Sequence, residues 1–236
     1  MTMSASRWVT PLVFATAVVA SAQVPLTKEP RHRVVFENAD LRVIDVNVPP
    51  RGATLDHVHD NDIVTVSMTS GADTRTQSPG QPWSPVRPRR PLGHANVTDY
   101  SGKPASHRVE NIGDSAYQLF AVENRRTSGW STAAPLSALA TTLATESRAF
   151  RVYDVRLGRE RNQASHTHAV PTIVVLVAGK VLSEGSDAQA KALSPAPVGL
   201  KQLDGPGQWV LIPRSESHHV VRLGTGEAHV VEIEVR

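Results

Sequence analysis

Short apolar stretches alternate with polar residues along the chain, and turn-forming residues separate them. In segment 41–48, for example, Ile44, Val46 and Val48 share one face of an extended strand, because successive side chains of a strand point to opposite sides. Valine is frequent in such runs, which favours strands. With 15 glycines and 17 prolines spread between the runs, the pattern predicts an all-β protein with many turns.

The second half of the sequence repeats the first. When residues 37–59 are placed over residues 146–168 without a gap, seven of the 23 pairs are identical. Among the matched pairs, Arg42 aligns with Arg151, and we expect each arginine to pair with the glutamate five positions earlier. Duplication explains these matches far better than chance.

The repeat defines a domain organisation. The 236 residues are enough for two domains of about 100 residues each. We predict domains at residues 34–124 and 146–236, an extended lead-in at 23–33 and a linker at 125–145 that is rich in Ala, Ser and Thr.

The first 22 residues have the features of an export signal. Arg7 supplies a positive charge, residues 8–20 are mostly apolar, and Ala20-Ser21-Ala22 has the small-x-small form of a cleavage site. The apolar run is shorter than the roughly 20 residues of a transmembrane helix. We therefore expect cleavage near Ala22, no membrane association afterwards, and a periplasmic or secreted protein.

Composition excludes several kinds of chemistry. The chain has no cysteine, so disulfides, thiolate nucleophiles and Cys-ligated metals are impossible. The net charge of +3 is too small to indicate nucleic-acid binding. The one basic run, Arg87–Arg90, lies among prolines in a long loop predicted at 71–93, and we interpret it as a solvated loop.

Six of the ten histidines form the main functional signal. They fall into two matched sets: His57, His59 and His107, and His166, His168 and His218. In a strand, a His-x-His pair presents two imidazoles on one side, and a third histidine from a later strand can complete a metal site. A divalent Fe, Mn, Ni, Cu, Co or Zn ion would suit these ligands equally. The alternative is that the histidines are structural or lie at the surface, as we expect for His32, which has no partner at metal-ligand spacing.

These motifs resemble those of the cupin superfamily, and the tandem copies resemble a two-domain member, a bicupin. The first cupin motif has His-x-His followed by Glu and Gly, and the second has Pro-x-Gly-x-x-His-x-x-x-Asn. The chain matches them at the following positions: His57-Val58-His59 with Gly71, His107 with Asn111, His166-Thr167-His168 with Gly179, and Pro213 with His218. The resemblance implies two antiparallel β-barrels of the jelly-roll type, also called the double-stranded β-helix, each with a metal site inside.

The chain departs from the family at the acidic ligand. Ile63 and Thr172 stand where the family has Glu, so we expect three neutral imidazoles at each site. Ile63 cannot bind a metal, and Thr172 could at most hydrogen-bond a bound water. A divalent ion in such a shell would keep its full charge and attract an anionic oxygen. We expect Asp56, Asp60 and Asp62, which surround the first pair, to be exposed; the alternative is that they accept hydrogen bonds from the histidines.

Three functions are consistent with these features. The first is a metal-dependent dioxygenase or related oxidoreductase that acts on a small oxygenated organic substrate. The second is an exported, non-catalytic protein that binds a small ligand or a metal, and the third is a scaffold with vestigial sites. In each case we expect no nucleic-acid partner, and a homodimer is compatible with the sequence.

Overall fold

A computed structural model describes residues 23–70, 73–137, 140–158, 162–185 and 201–236. The predicted export signal lies outside these residues. The described chain contains 18 strands and a single short 3-10 helix, Leu26–Lys28. None of its helices has the length and apolar composition of a membrane span. The all-β prediction is confirmed.

The first half of the chain forms a barrel of two sheets. Its strands are β1 Val24–Pro25, β2 His32–Glu37, β3 Leu41–Val48, β4 His57–His59, β5 Ile63–Ser67, β6 Thr74–Gln77, β7 Ala95–Thr98, β8 Ala105–Asn111 and β9 Tyr117–Asn124. A four-stranded sheet has the order β1-β4-β8-β6, and a five-stranded sheet has the order β2-β3-β9-β5-β7. All of these pairs are antiparallel except β1 with β4.

The second half forms a similar barrel. Its strands are β10 Thr141–Glu146, β11 Phe150–Leu157, β12 His166–Thr167, β13 Thr172–Ala178, β14 Val181–Gly185, β15 Lys201–Leu203, β16 Trp209–Ile212, β17 Ser217–Arg222 and β18 Ala228–Val235. The five-stranded sheet has the order β10-β11-β18-β13-β16, and the four-stranded sheet has the order β12-β17-β14-β15. Strand β10 overlaps the end of the predicted linker. The chain thus folds into two tandem antiparallel barrels, as predicted.

The two barrels pack together through their five-stranded sheets. Residues on one face of β3, such as Val43, contribute to a core shared with Phe150 and Trp209 of the second barrel. Residues on the other face, such as Ile44, fill the interior of the first barrel. The five-stranded sheets are therefore buried on both faces, whereas the four-stranded sheets carry the His-x-His motifs.

Strand β6 was not predicted, because it lies in the expected loop at 71–93. Its sequence, Thr-Arg-Thr-Gln, contains no apolar residue and so lacks the alternation that identifies a half-buried strand. It forms the edge of the four-stranded sheet and pairs with β8. The segment that follows it, residues 78–94, is called the connecting segment below.

The duplication extends to buried ion pairs. Arg42 donates hydrogen bonds to Glu37, at 2.7 Å, and to the fully buried Glu123. Arg151 donates to Glu146, at 2.8 Å, and to Glu234, at 3.1 Å. The expected pairing of each arginine with the preceding glutamate is confirmed, and in both copies a second glutamate from the last strand of the barrel joins it.

Candidate metal centres

The structure brings the three histidines of the first set together. His57 on β4 lies directly opposite His107 on β8, and His59 points to the same side as His57. The ring centroids are 4.9 Å apart for His57 and His59, 4.8 Å for His57 and His107, and 4.9 Å for His59 and His107. One nitrogen from each ring lies within 4.8 Å of the others, so the three could hold one ion.

The second set has the same arrangement. His166 on β12 lies opposite His218 on β17. The ring of His166 is 4.9 Å from that of His168 and 4.4 Å from that of His218, and the last two rings are 5.1 Å apart. The two sets have the same arrangement because the strands pair in the same register. In each four-stranded sheet, the first and third histidines lie opposite each other on neighbouring strands.

A backbone hydrogen bond orients the first histidine of each set. The Nδ1–H of His57 donates to the carbonyl oxygen of Leu55 at 2.9 Å, and that of His166 donates to Ala164 at 2.8 Å. Since a carbonyl oxygen only accepts, the proton of the neutral ring is on Nδ1. The Nε2 lone pair therefore faces the other imidazoles, as metal-ligating histidines require.

Several buried atoms in the clusters have no hydrogen-bond partner. They are Nε2 of His57, both ring nitrogens of His59 and of His218, and both carboxylate oxygens of Glu232. Leaving a buried polar atom unpaired costs about 1–3 kcal/mol, so such a concentration calls for an explanation. A divalent ion bound in each cluster would take one nitrogen from each ring and, in the second cluster, a carboxylate oxygen of Glu232, and the residues present fit such an ion.

Glu232 belongs to the second cluster and overturns the expectation of three imidazoles there. Its Oε2 lies 3.5 Å from Nε2 of His166 and 3.6 Å from Nε2 of His168. It projects from β18, in the sheet opposite the histidines, where it pairs with Val174. Thr172, at the position of the family's glutamate, instead donates its hydroxyl to the carbonyl of Val170.

Sequence reasoning missed Glu232 because it searched for the acid only along the strand of the His-x-His motif. One signal was available: Glu232 and Glu234 are two acids on one face of an otherwise apolar strand. A charged side chain in a buried strand is rare unless it has a partner. At the position corresponding to Glu232, β9 of the first barrel has Ala121, so among the described residues the possible ligands of the first cluster are three histidines without a carboxylate.

The first cluster is neutral at physiological pH. Burial lowers the pKa of His57 to about 4, that of His59 to about 2 and that of His107 to about 3. Positive charge on the neighbouring histidines would lower each pKa further. Neutral imidazoles are the form that binds metals, so no proton has to leave before these three can do so.

The second cluster is charged. Burial opposes protonation of His168, but the carboxylates of Glu232 and Glu234 outweigh it and raise the pKa of His168 to about 9. Burial also opposes ionisation of Glu232, yet its histidine neighbours hold the pKa of that carboxyl well below its usual range. Nδ1 of His168 lies 2.8 Å from Glu234, which in turn binds Arg151. In the metal-free state a proton on His168 thus balances the buried carboxylates.

The first cluster borders a cavity inside the first barrel. The cavity has a volume of about 100 Å³, and His59 and His107 form part of its wall. In the second barrel, the corresponding interior is filled by a cluster of buried aliphatic side chains that includes Val174, Leu176 and Val230.

The cavity wall contains one residue, His32, whose environment was predicted wrongly. His32 was expected at the surface, but its side chain is only 8% exposed, its ring lies 4.6 Å from that of His57, and its Nδ1 is 2.5 Å from Glu29. Arg87 and Arg90 also line the cavity, although most of the basic run, including Arg87 and Arg89, is solvent-exposed, as expected for a solvated loop. The spacing of these residues in the sequence does not predict that they meet at the cavity, because they come from distant segments that the closed barrel brings together.

Of the three aspartates around the first His-x-His pair, Asp60 is exposed, as expected, whereas the other two are buried, contrary to expectation. Asp56 is 7% exposed and Asp62 is 1% exposed. Asp62 accepts a hydrogen bond of 2.7 Å from the backbone N–H of Ser101. The carboxylate thereby ties the end of the motif to the loop before β8.

Comparisons with known proteins support the fold. No protein-family model matches the sequence, and no curated protein matches it. Among solved structures, AerE from Microcystis aeruginosa is similar over 88% of this chain and 98% of its own, with a TM-score of 0.59 and 12% identity. A cupin 2 conserved barrel domain protein from Leptotrichia buccalis has a TM-score of 0.53 at 6% identity, covering 89% of this chain and 90% of its own.

A formate complex of oxalate decarboxylase from Lactobacillus farciminis is also similar. It has a TM-score of 0.57 at 9% identity and covers 84% of this chain and 78% of its own. At these identities the likeness concerns the fold, which is that of cupin proteins with two barrels.

Proposed function

We propose that this chain is a metal-dependent oxidoreductase of the cupin fold that acts on a small organic molecule in its first barrel. One observation carries the proposal: three neutral imidazoles lie together, buried nitrogens of His57 and His59 have no partner, and His59 and His107 form part of the wall of a cavity. The oxidoreductase class, with a dioxygenase as the leading candidate, is inferred from the three-histidine ligand set.

In the first barrel, different residues would bind the metal, orient its ligands and exclude water. His57, His59 and His107 would hold a divalent transition metal, which supplies a Lewis acid and open coordination positions when bound. The backbone bond from His57 to Leu55 fixes one ligand in place. Tyr100, whose ring is stacked on that of His59 at 4.6 Å, restricts the orientation of a second. The apolar side chains of the cavity would exclude water from the substrate.

We propose a structural role for the second cluster. Glu232 completes a four-residue site there, and the aliphatic side chains around it leave little room for a substrate. A closed shell of four protein ligands is typical of structural metal sites, whereas catalytic sites keep a position open.

Metal analysis of natively purified protein at pH 7.5 tests both assignments. We expect about two equivalents of a transition metal per chain, one equivalent in His107→Ala and one in His218→Ala. The matched control is His219→Ala, because this neighbour of His218 turns away to Glu184, at 3.0 Å, and its removal should keep both equivalents. If no metal is present, and none binds after soaking with Mn, Fe, Co, Ni, Cu or Zn, the proposal is wrong.

A non-catalytic binding protein is the second candidate. It is favoured by the absence of Asp and Glu among the described side chains that line the cavity, which leaves no carboxylate to serve as a general base. Oxygen uptake with a panel of diketones and phenols separates the two. Turnover that is lost in His107→Ala but kept in His218→Ala would identify an enzyme, and ligand binding without turnover would identify a binder.

We also propose that residues 1–22 direct export and that the mature chain begins near Gln23. The support is the charged, apolar and small-residue pattern of the segment. Mass spectrometry of the protein recovered from the periplasm or the medium would show the new N-terminus. Recovery of the uncleaved chain from the cytoplasm would contradict export.

A further inference from the structure

Two positive charges lie at the wall of the cavity in the first barrel, that of the half-buried Arg90 and that of the solvent-exposed Arg87. Arg87 and Arg90, both from the connecting segment, line it together with Tyr100 and Tyr117. No acidic side chain is among its described lining residues. The cavity therefore combines a neutral metal cluster with two guanidinium groups.

These two arginines differ from their neighbour Arg89. Arg89 forms two hydrogen bonds, of 2.8 and 2.7 Å, with the carboxylate of Asp73. Arg87 donates only to the hydroxyl of Thr76, at 3.0 Å, and within the described residues neither Arg87 nor Arg90 has a carboxylate at ion-pairing distance. Two charges that lack a counter-ion at the wall of a cavity indicate a site for an anion.

The charge of the arginines reaches the interior of the barrel. Burial raises the pKa of the Tyr117 hydroxyl, and the positive charges of Arg90 and Arg87 oppose that rise. Arg87 and His107 both lie in the wall of this one cavity. Arg87 thus lies close enough to act on the same occupant as the histidine cluster.

The rest of the cavity wall limits the kind of anion. Val46, Val48, Ile63 and Leu119 provide aliphatic surface opposite the polar groups. The volume of about 100 Å³ is smaller than that of an apolar cavity of about 150 Å³ that accommodates benzene, so it limits the occupant to a molecule smaller than benzene. A fully hydrated inorganic anion would leave the aliphatic wall uncovered, whereas an organic acid has an apolar part to place there.

We propose that the first barrel binds a small organic carboxylate, whose carboxyl group is held by Arg87 and Arg90 and whose apolar part packs against the aliphatic wall. The planar guanidinium group matches a carboxylate with two parallel hydrogen bonds. This inference rests on the proposed role of the first barrel as the ligand-binding barrel. The site would orient the substrate so that its other end faces His59 and His107.

The test compares acids with amides of the same shape. Ligand-observed NMR titrations would measure binding of propanoate and propanamide, butanoate and butanamide, and inorganic phosphate, both to the protein as purified and after chelation of metals. We expect each acid to bind at least tenfold more tightly than its amide in the metal-free protein as well. Equal affinities, tighter binding of phosphate than of either acid, or no binding of the acids would overturn the proposal.

Variants of the connecting segment assign the effect to residues. Arg87→Gln and Arg90→Gln should each weaken acid binding about tenfold, since a hydrogen bond to a charged group contributes about that factor. Arg89→Gln removes the same charge from the same segment and should leave acid binding unchanged. An equal loss in Arg89→Gln would show that only the overall charge matters.

A charge-conserving variant and the metal content of the protein separate the carboxylate site from the metal proposal. Arg87→Lys retains the charge without the planar fork and should recover only part of the affinity, and this variant preserves the backbone hydrogen bond from Arg87 to Thr74. If the protein prefers acids to amides but binds no metal under any condition, the carboxylate site is supported and the proposed metal-dependent function is wrong. Normal metal content without acid selectivity would leave the proposed function standing and refute the carboxylate site.

Discussion

At the scale of single residues, the two barrels differ most in one pair of corresponding positions. In the second barrel the carboxylate of Glu232 faces three imidazoles, whereas the first barrel has the methyl group of Ala121 there. The same ancestral arrangement of histidines therefore has two electrostatic environments. The carboxylate favours a bound cation, and its absence beside a cavity leaves room for a substrate.

Removing the carboxylate from the second cluster and adding one to the first should change their affinities for metal in opposite directions. We expect Glu232→Ala to weaken metal binding at the second cluster at least tenfold, because an ionised ligand is lost. Ala121→Glu should strengthen binding at the first cluster, since the residue borders the cavity. Metal titrations would be performed in the His107→Ala background for the second cluster and in the His218→Ala background for the first. Unchanged affinities in both would show that the carboxylate is not a ligand.

The neutral histidines should make the metal-free protein sensitive to acid. A histidine has a pKa of about 6.5 when unfolded, and burial lowers that of His59 to about 2 in the folded state. The unfolded state then binds more protons below pH 6.5, so stability is fully present above that value and is lost as the pH falls. Each such histidine contributes a slope of about 1.4 kcal/mol per pH unit between roughly pH 5.5 and 4.5.

Urea unfolding of the chelated protein would measure this slope. His59→Gln should reduce the loss of unfolding free energy between pH 5.5 and 4.5 by about 1.4 kcal/mol relative to the wild type. Parallel curves for the wild type and the variant would contradict a neutral, buried His59.

The site residues that could be predicted from the sequence are those whose positions depend on the alternation of side chains along one strand or on the repeat. The parity of strands brings His57 and His59 to one side, and the repeat supplies the second set. Glu232 and His32 lie on strands of the opposite sheet, and their distance from the histidines depends on how the barrel closes. That distance is a tertiary property without a fixed sequence spacing.

At the scale of elements, the connecting segment, which joins β6 to β7 in the first barrel, also contacts the second barrel. Its Gly93 has a φ of +78°, and a Cβ there would lie 2.1 Å from Cε1 of His229 on β18. His229 is buried and contacts Asp154, so its ring has little freedom to move. The segment that carries Arg87 and Arg90 is thus fixed against the second barrel at its far end.

Gly93→Ala should therefore destabilise the protein more than a comparable change elsewhere in the segment. Gly80→Ala is the matched control, because Gly80 has a φ of +71° but no atom within 4 Å of its would-be Cβ. We expect both variants to lose about 1–2 kcal/mol from left-handed backbone strain. Gly93→Ala should lose a further 1–3 kcal/mol, roughly, from overpacking. Equal losses in urea unfolding would show that the close contact with His229 is unimportant.

The strands that were predicted and those that were missed differ in a physical way. Strands β3 and β11 contain apolar residues at alternating positions, which leaves a pattern in the sequence. Strand β6 has only polar side chains, and β1 is a two-residue strand in the polar lead-in. Both form because a neighbouring strand offers hydrogen bonds, and their own sequences do not specify them.

At the scale of the whole molecule, the barrels share a core. Phe36 and Phe120 of the first barrel contact the ring of Trp209, with centroids 5.7 and 6.3 Å apart. Asn124, at the end of β9, donates hydrogen bonds to the carbonyls of Ala149 and Arg236, at 2.9 and 2.8 Å. We infer that neither barrel is energetically independent of the other.

Removal of the shared aromatic ring should weaken both barrels together. Trp209→Ala should lower the unfolding free energy by about 3–5 kcal/mol, as expected for truncation of a buried tryptophan. Trp83→Ala is the control, since Trp83 is half-buried between Arg75 and Arg108, away from the shared core, and should cost much less. Hydrogen exchange should accelerate in β3 and β13 alike for Trp209→Ala. Acceleration confined to the second barrel would contradict a shared core.

The pairing of β1 with β4 has a practical consequence for work with recombinant protein. Val24 lies opposite His57, so the start of the described chain is at the edge of the sheet that carries the first histidine cluster. A polyhistidine tag fused close to this strand would place extra imidazoles beside the cluster and could bind metal in its place. Purification handles for metal analysis should therefore be free of histidine or be removed by a protease before measurement.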